Sequence, residues 1–193
     1  MAFEELGEVS LKPMEKPSPL PMVAGTEQHW LKHWMKDDVE HIIYIESVDA
    51  EKYRVRGSDG CRHTRMTDMF GPVLVWSNCH GAGRSGTQEI IKTTGNPWPL
   101  SEKTEFEYEF TGKWDDGFGA QWHQNQKCKV DKQVRVKVPA GEFDTYKLIC
   151  DDPGLKWTYW ISPELGHHVA LERIYKHLIS RSYMLELIKV VNP

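Results

Sequence analysis

The sequence lacks the features that mark two large classes of protein. No apolar run approaches the roughly 18 residues that a membrane-spanning helix needs, so we do not expect the chain to span a membrane. Basic residues are not in excess, because 24 Lys and Arg against 28 Asp and Glu give a formal net charge of −4. Nucleic-acid-binding domains are typically strongly basic, so nucleic acid is not an expected partner.

The cysteines lack the C-x-x-C spacing of structural zinc sites. Cys61, Cys79, Cys128 and Cys150 instead form two local couples, Cys61 with Cys79 and Cys128 with Cys150. Two disulfides in an exported protein are the favoured interpretation, and four buried thiols in a cytosolic protein are the alternative. The 193 residues, of which 39% are hydrophobic, suit a single globular domain.

The first 25 residues contain no apolar stretch of the signal-peptide kind. Four prolines between Leu11 and Met22 favour extended polyproline geometry and cannot continue a helix. We therefore divide the chain into an extended Pro-rich arm, residues 1–25, and an antiparallel β domain, residues 26–193. Because no signal is visible, the predicted location is periplasmic or secreted if a signal has been removed, and cytoplasmic otherwise.

Beyond the arm, one short helix is predicted at Glu27–Met35, because Trp30 and Trp34 stand four residues apart. The rest of the chain has β character. Thr104–Phe110 alternates aromatic and glutamate residues, which is typical of a strand with one face in water. Further strands are predicted at 41–48, 53–56, 155–161, 169–174 and 183–190, and turn signals between them indicate a meander. The expected fold is mainly β, a single antiparallel sandwich or partly open barrel.

One hairpin can be followed to its register. Placing a three-residue loop at 139–141 pairs Val134 with Tyr146 and Cys150 with Val130. Cys128 then lies one diagonal away from Cys150, on the same face. A disulfide between them would need a further bulge, since diagonal neighbours stand about 7–8 Å apart.

Three segments carry a resemblance to a known family: Asn96–Leu100, Val138–Lys147 and Thr158–Gly166. They are similar to the signature of a family of uncharacterised, mostly predicted-exported bacterial β-rich proteins. The resemblance covers roughly residues 60–190 and implies a β-rich fold, export and paired cysteines. It implies no activity.

Several patterns that can carry chemistry are better explained by structure. Gly81–Gly86 matches G-x-G-x-x-G, but no helix of a βαβ unit follows it, so a hairpin loop is favoured and no cofactor is expected. His29 and His33 could share a metal ion on a helix, yet two solvated histidines beside buried tryptophans are the simpler interpretation. His167 and His168 would point to opposite faces of a strand and are not expected to converge.

Two acidic pairs, Asp115-Asp116-Gly117 and Asp151–Gly154, stand where hairpins need turns, and turn geometry explains them. We therefore predict no catalytic, cofactor-binding or metal-ligating residues, and no enzyme. An enzyme would need titratable groups such as His63, His80, His123 and His167 brought together across strands.

The tryptophans allow a binding function. Trp114, Trp122, Trp157 and Trp160 could line an apolar ligand cavity, although filling a β core is the commoner role of such residues. The leading hypothesis is a non-enzymatic accessory or structural subunit that docks on a larger protein assembly through its arm and β domain. The alternative is an exported binding module for a small apolar ligand in an aromatic-lined β cavity. An arm folded back on its own sheet would contradict docking.

Overall fold

The computed structural model describes residues 3–17, 23–35, 37–79, 84–115, 120–178 and 182–193. This part of the chain contains thirteen strands and no helix. The strands are β1 (Glu4–Glu8), β2 (Glu27–Trp34), β3 (Asp37–Val48), β4 (Lys52–Gly57), β5 (Arg62–Met66), β6 (Val75–Cys79), β7 (Arg84–Gly95), β8 (Glu105–Trp114), β9 (Gln121–Val138), β10 (Gly141–Asp151), β11 (Leu155–Ser162), β12 (His167–Tyr175) and β13 (Tyr183–Val191).

Strands β2 to β13 close into a twelve-stranded antiparallel barrel. The order is β9-β10-β11-β12-β13-β2-β3-β4-β5-β6-β7-β8, and β8 pairs back onto β9. The predicted sandwich or partly open barrel is therefore wrong, because the sheet closes completely on itself. Closure leaves the ring without the two unpaired edge strands that open sheets must protect by other means.

The length of β9 makes the closure compatible with one extra strand. Residues 121–129 of β9 pair with β8, and residues 134–137 pair with β1 on the same edge. Strand β1 therefore occupies the edge of β9 that β8 no longer covers, and it is the strand outside the ring.

The predicted helix at Glu27–Met35 is wrong. Residues 27–34 form β2, which pairs with β13 on one side and β3 on the other. Trp30 is completely buried, whereas Trp34, four residues on, is 46% exposed at the end of the strand. A spacing of four residues fits the period of a helix and also twice the period of a strand, so the two tryptophans could not distinguish them.

The hairpin of β9 and β10 differs from its predicted register by one residue. Gly141 pairs with Val138, so the connection has two residues, and Val134 lies opposite Thr145 instead of Tyr146. A bulge beside Lys147 then shifts the register again. As a result, Cys150 stands directly opposite Cys128.

Both predicted disulfides are present. Cys61 is bonded to Cys79, with a Cα–Cα distance of 4.5 Å, and Cys128 to Cys150, with a Cα–Cα distance of 4.0 Å. The predicted strands at 41–48, 53–56, 104–110, 155–161, 169–174 and 183–190 are also confirmed.

The connection between β5 and β6 folds into the barrel. Phe70, which is 1% exposed, packs against the rings of Trp98, Phe106 and Tyr159 at centroid distances of 5.2, 6.0 and 6.1 Å. Aromatic packing of this kind fills the interior on one side of the barrel. A cleft lies beside this connection.

The described part of the arm packs on its own barrel. Phe3 contacts the Trp160 ring at 4.6 Å, and Glu5 accepts hydrogen bonds from Trp160 Nε1 and Lys147 Nζ at 3.1 and 2.8 Å. Further along, Met14 forms two backbone hydrogen bonds with Leu100, of 2.9 and 2.8 Å. This arrangement counts against the hypothesis that the arm docks on another protein.

Candidate functional site

The barrel wall has an opening beside the second half of β7. Strand β6 begins at Val75 and pairs with β7 only as far as Thr87, whereas β7 runs on to Gly95 paired with β8 alone. A cleft of about 560 Å³ lies here, between β7 and the β5–β6 connection. Its lining consists of Lys52, Met66, Asp68, Leu74, Val75, Thr87, Gln88, Glu89, Ile90, Thr93, Pro97 and Tyr108.

The alternation of β7 and β8 explains which side chains reach the interior of this cleft. Ile90 pairs with Phe110 and Thr93 with Tyr108, and a bulge between Ile90 and Lys92 keeps both pairs on one face. Ile91, the residue taken up by the bulge, is 54% exposed. Ile90 therefore lines the cleft, whereas Ile91 faces solvent.

A carboxylate and a phenol meet in the cleft. Tyr108 Oη donates a hydrogen bond to Asp68 Oδ2 at 2.5 Å. Asp68 Oδ1 accepts backbone hydrogen bonds from Phe70 and Gly71 at 3.2 and 3.0 Å. Burial and the negative charge of Asp68 raise the pKa of Tyr108, so the phenol stays protonated and remains a donor to Asp68.

Gln88 connects the cleft with Trp122 by hydrogen bonds of its side chain. Its Nε2 donates to the Val73 carbonyl at 2.6 Å, and its Oε1 accepts from Trp122 Nε1 at 3.2 Å. Trp122 packs with Trp76 and Trp114 in a cluster whose ring centroids lie 5.1–5.9 Å apart. The side of the cleft is therefore held in place by a tryptophan cluster.

The four tryptophans proposed from the sequence fall into two places. Trp114 and Trp122 belong to the cluster beside Gln88. Trp157 faces the guanidinium of Arg173 at 4.3 Å, and Trp160 lies under Phe3 of the arm. None of the four is among the described residues that line the cleft.

The histidines and acidic turns proposed from the sequence lie away from the cleft. His29 contacts Glu40 at 2.6 Å and His33 contacts Glu186 at 2.5 Å, through separate carboxylates. Asp152 Oδ1 accepts the backbone N–H groups of Gly154 and Leu155, both at 2.7 Å, as its turn requires. His80, residues 81–83 of the glycine motif, and Asp116 and Gly117 fall outside the described residues.

His167 and His168 are neighbours on β12, with ring centroids 6.3 Å apart. His168 pairs with Ile161 and stacks on the Trp30 ring at 5.0 Å, whereas His167 pairs with Ser162. Burial, followed by the charges of His167 and Arg65, lowers the pKa of His168 to about 3. His168 is therefore a neutral ring in the interior at ordinary pH.

Sequence reasoning missed the residues that build the cleft. No pattern in the sequence singles out Asp68, and nothing links it to Tyr108, which lies 40 residues further on. The alternation of 104–110 did place Tyr108 on the buried face of its strand. That alternation was the one signal that pointed to a residue of the cleft.

Comparisons with known proteins support the fold of this chain and do not assign a function. No family model and no curated protein matches the chain. Among solved structures, the hypothetical lipoprotein YmcC from Escherichia coli (K12) is similar, with a TM-score of 0.51 and 6% sequence identity, over 89% of this chain and 86% of that chain. At this identity the likeness shows a shared fold alone. No helix long and apolar enough to cross a bilayer occurs among the described residues.

Proposed function

We propose that this protein is an exported binding module that takes up a small apolar ligand at the cleft in its barrel wall. The observation that carries the proposal is the cleft itself. Its volume of about 560 Å³ lies within the roughly 300–1,000 Å³ of small-molecule sites. Met66, Leu74, Ile90 and Pro97 supply an apolar wall.

A few polar groups in the cleft can orient such a ligand. The oxygen of Tyr108 keeps an acceptor lone pair after donating its proton to Asp68, and Thr93 adds a hydroxyl. Lys52 is exposed at the rim, where its ammonium can meet a polar end of the ligand. Seven of the twelve lining residues carry polar groups, and such groups fix the orientation of a ligand against the apolar part of a site.

Binding without catalysis is the simplest role for this geometry. The Asp68 carboxylate already accepts three hydrogen bonds, from Tyr108, Phe70 and Gly71, so it is engaged in holding the β5–β6 connection. Two disulfides support a location outside the cytoplasm, where such bonds persist. The structurally similar YmcC is a hypothetical lipoprotein, which agrees with that location.

The test uses N-phenyl-1-naphthylamine, an apolar dye that fluoresces when it leaves water. We expect saturable binding at one site per chain, measured by fluorescence titration. Ile90→Trp fills the cleft and should weaken binding at least about 10-fold, which corresponds to about 1.4 kcal/mol. Ile91→Trp is the matched control, because Ile91 is 54% exposed and stands next to Ile90 in the chain.

Two results would overturn the proposal. One is the absence of saturable binding by the folded wild-type protein, for the dye and for lipids extracted from the protein's own source. The other is equal loss of affinity in Ile90→Trp and Ile91→Trp, which would place the dye elsewhere. Far-ultraviolet circular dichroism of both variants shows whether each keeps the barrel.

A further inference from the structure

The two disulfides differ in their surroundings. Cys128 and Cys150 are 3% and 0% exposed, in the core. Cys61, directly before β5, is partly exposed, whereas its partner Cys79, at the end of β6, is 2% exposed. His63 reaches this second pair, with Nε2 at 3.0 Å from Cys61 Sγ and 3.5 Å from Cys79 Sγ.

The three side chains form a potential metal-ligand set. Cys61, His63 and Cys79 are the group of the described chain in which three such ligand atoms lie within 4.8 Å of one another. Zinc takes thiolate sulfur at about 2.3 Å and imidazole nitrogen at about 2.0–2.1 Å, so donors that share one ion lie about this close together.

The backbone brings these residues together by contacts that do not depend on the disulfide. His63 and Trp76 are paired across β5 and β6, with Cys61 two residues before His63 and Cys79 three residues after Trp76. Asn78 Nδ2 donates to the Gly60 carbonyl at 3.2 Å and holds the ends of the two strands together. We therefore expect the cysteines to stay close to each other and to His63 when their bond is opened.

We propose that the reduced pair Cys61 and Cys79, together with His63, forms a zinc-binding site. Two thiolates and one imidazole are the ligand types that zinc prefers in proteins. Three protein ligands leave a fourth position of a tetrahedral ion for water or another group. The bound ion and the disulfide exclude each other, because each needs the same two sulfur atoms.

The interconversion balances with a dithiol as the reductant. The protein disulfide takes two electrons and two protons from the dithiol, so both cysteines become thiols. The dithiol is oxidised to its own disulfide. Binding of Zn²⁺ then releases the two thiol protons to water. Because the residue Cys61 is partly exposed whereas Cys128 and Cys150 are buried, exchange is expected to begin at the Cys61–Cys79 pair.

The first test is a cobalt titration of the full chain after reduction with dithiothreitol and anaerobic removal of the reductant. Co²⁺ replaces zinc and reports thiolate ligands by a charge-transfer band and tetrahedral geometry by its visible bands. We expect one equivalent to bind and Zn²⁺ to displace it. His63→Gln should weaken binding at least about 10-fold. His123→Gln, at an exposed histidine paired with Glu109 at 3.0 Å, is the control.

The second test locates the ion in the wild-type protein, so it does not depend on a variant folding. Zinc should shield Cys61 and Cys79 from alkylation by iodoacetamide, as mapped by peptide mass, and leave the reactivity of Cys128 and Cys150 unchanged. Absence of the cobalt charge-transfer band, equal affinity in His63→Gln and His123→Gln, or shielding of the other pair would each overturn the proposal. These results are independent of dye binding at the cleft.

Discussion

Gly112 offers a direct test of how the tryptophan cluster is packed. A Cβ atom built at Gly112 would lie 2.4 Å from Trp122 Cζ2, 2.5 Å from Trp122 Cε2 and 2.8 Å from Gln88 Cγ. Real Cβ atoms do not approach other atoms this closely. Gly112→Ala must therefore displace the Trp122 ring, and with it the hydrogen bond from Trp122 Nε1 to Gln88.

The expected cost of Gly112→Ala is that of overpacking a well-filled interior, about 2 kcal/mol. For a chain of this length, that cost lowers the melting temperature by about 4–8 °C. Gly154→Ala is the matched control, because the nearest atom to its Cβ, Asp152 Oδ1, lies at an ordinary 3.6 Å. Thermal unfolding followed by circular dichroism measures both variants, and the near-ultraviolet signal reports the tryptophan rings.

A double-mutant cycle assigns the cost to the Trp122 ring. Trp122→Phe removes the indole atoms that the new Cβ would meet, so Gly112→Ala should cost less in that background than in the wild type. The reasoning fails if Gly112→Ala melts like the wild type. It also fails if its cost is unchanged by Trp122→Phe, since the clash would then lie elsewhere.

Three further predictions concern stability. Burial raises the pKa of Glu5, but hydrogen bonds from Lys132, Lys147 and Trp160 hold that pKa below its usual 4.5. Glu5→Gln should therefore lower the free energy of unfolding in urea at pH 7 by about 2 kcal/mol. The difference in stability from the wild type should shrink as the pH falls below 4.5. Replacing Cys128 and Cys150 by serine opens a loop of 22 residues and should cost about 3 kcal/mol; an unchanged urea midpoint would contradict this. The pKa of His168 is about 3 in the folded protein and 6.5 in the unfolded chain, so between these pH values the unfolded chain binds a proton that the folded protein does not. The free energy of unfolding should therefore fall as the pH is lowered from 6.5 to 3, by up to about 1.4 kcal/mol per pH unit. His168→Phe should reduce this dependence of stability on pH.

The strands were predictable because period-two alternation depends on local sequence alone. Glu105–Trp114 shows this directly, since its aromatic residues face the core and its glutamates face outward. The helix at 27–35 was mispredicted because two tryptophans spaced by four fit either period. Closure of the barrel was also out of reach, since it depends on β8 meeting β9 and on the register of every pair between them.

Register was limited by bulges, which leave little trace in a sequence. The disulfide between Cys128 and Cys150 could be anticipated, yet the bulge beside Lys147 that places the two residues opposite each other could not. One inserted residue reverses the face of every side chain beyond it. An error of one position at the turn was therefore enough to pair Val134 with the wrong residue.

The cleft could not be predicted for a related reason. Its wall joins the β5–β6 connection to β7 through hydrogen bonds from Gln88 to the carbonyls of Val73 and Leu74, at 2.6 and 2.7 Å, and its floor joins Asp68 to Tyr108. The bond from Gln88 to Leu74 continues the β6–β7 register by one residue, whereas the Gln88–Val73 and Asp68–Tyr108 bonds follow no strand or turn period. A binding site formed by a gap in the barrel wall is visible only once the ring is closed, and for that reason the tryptophans, conspicuous in the sequence, were weaker guides to it than Tyr108.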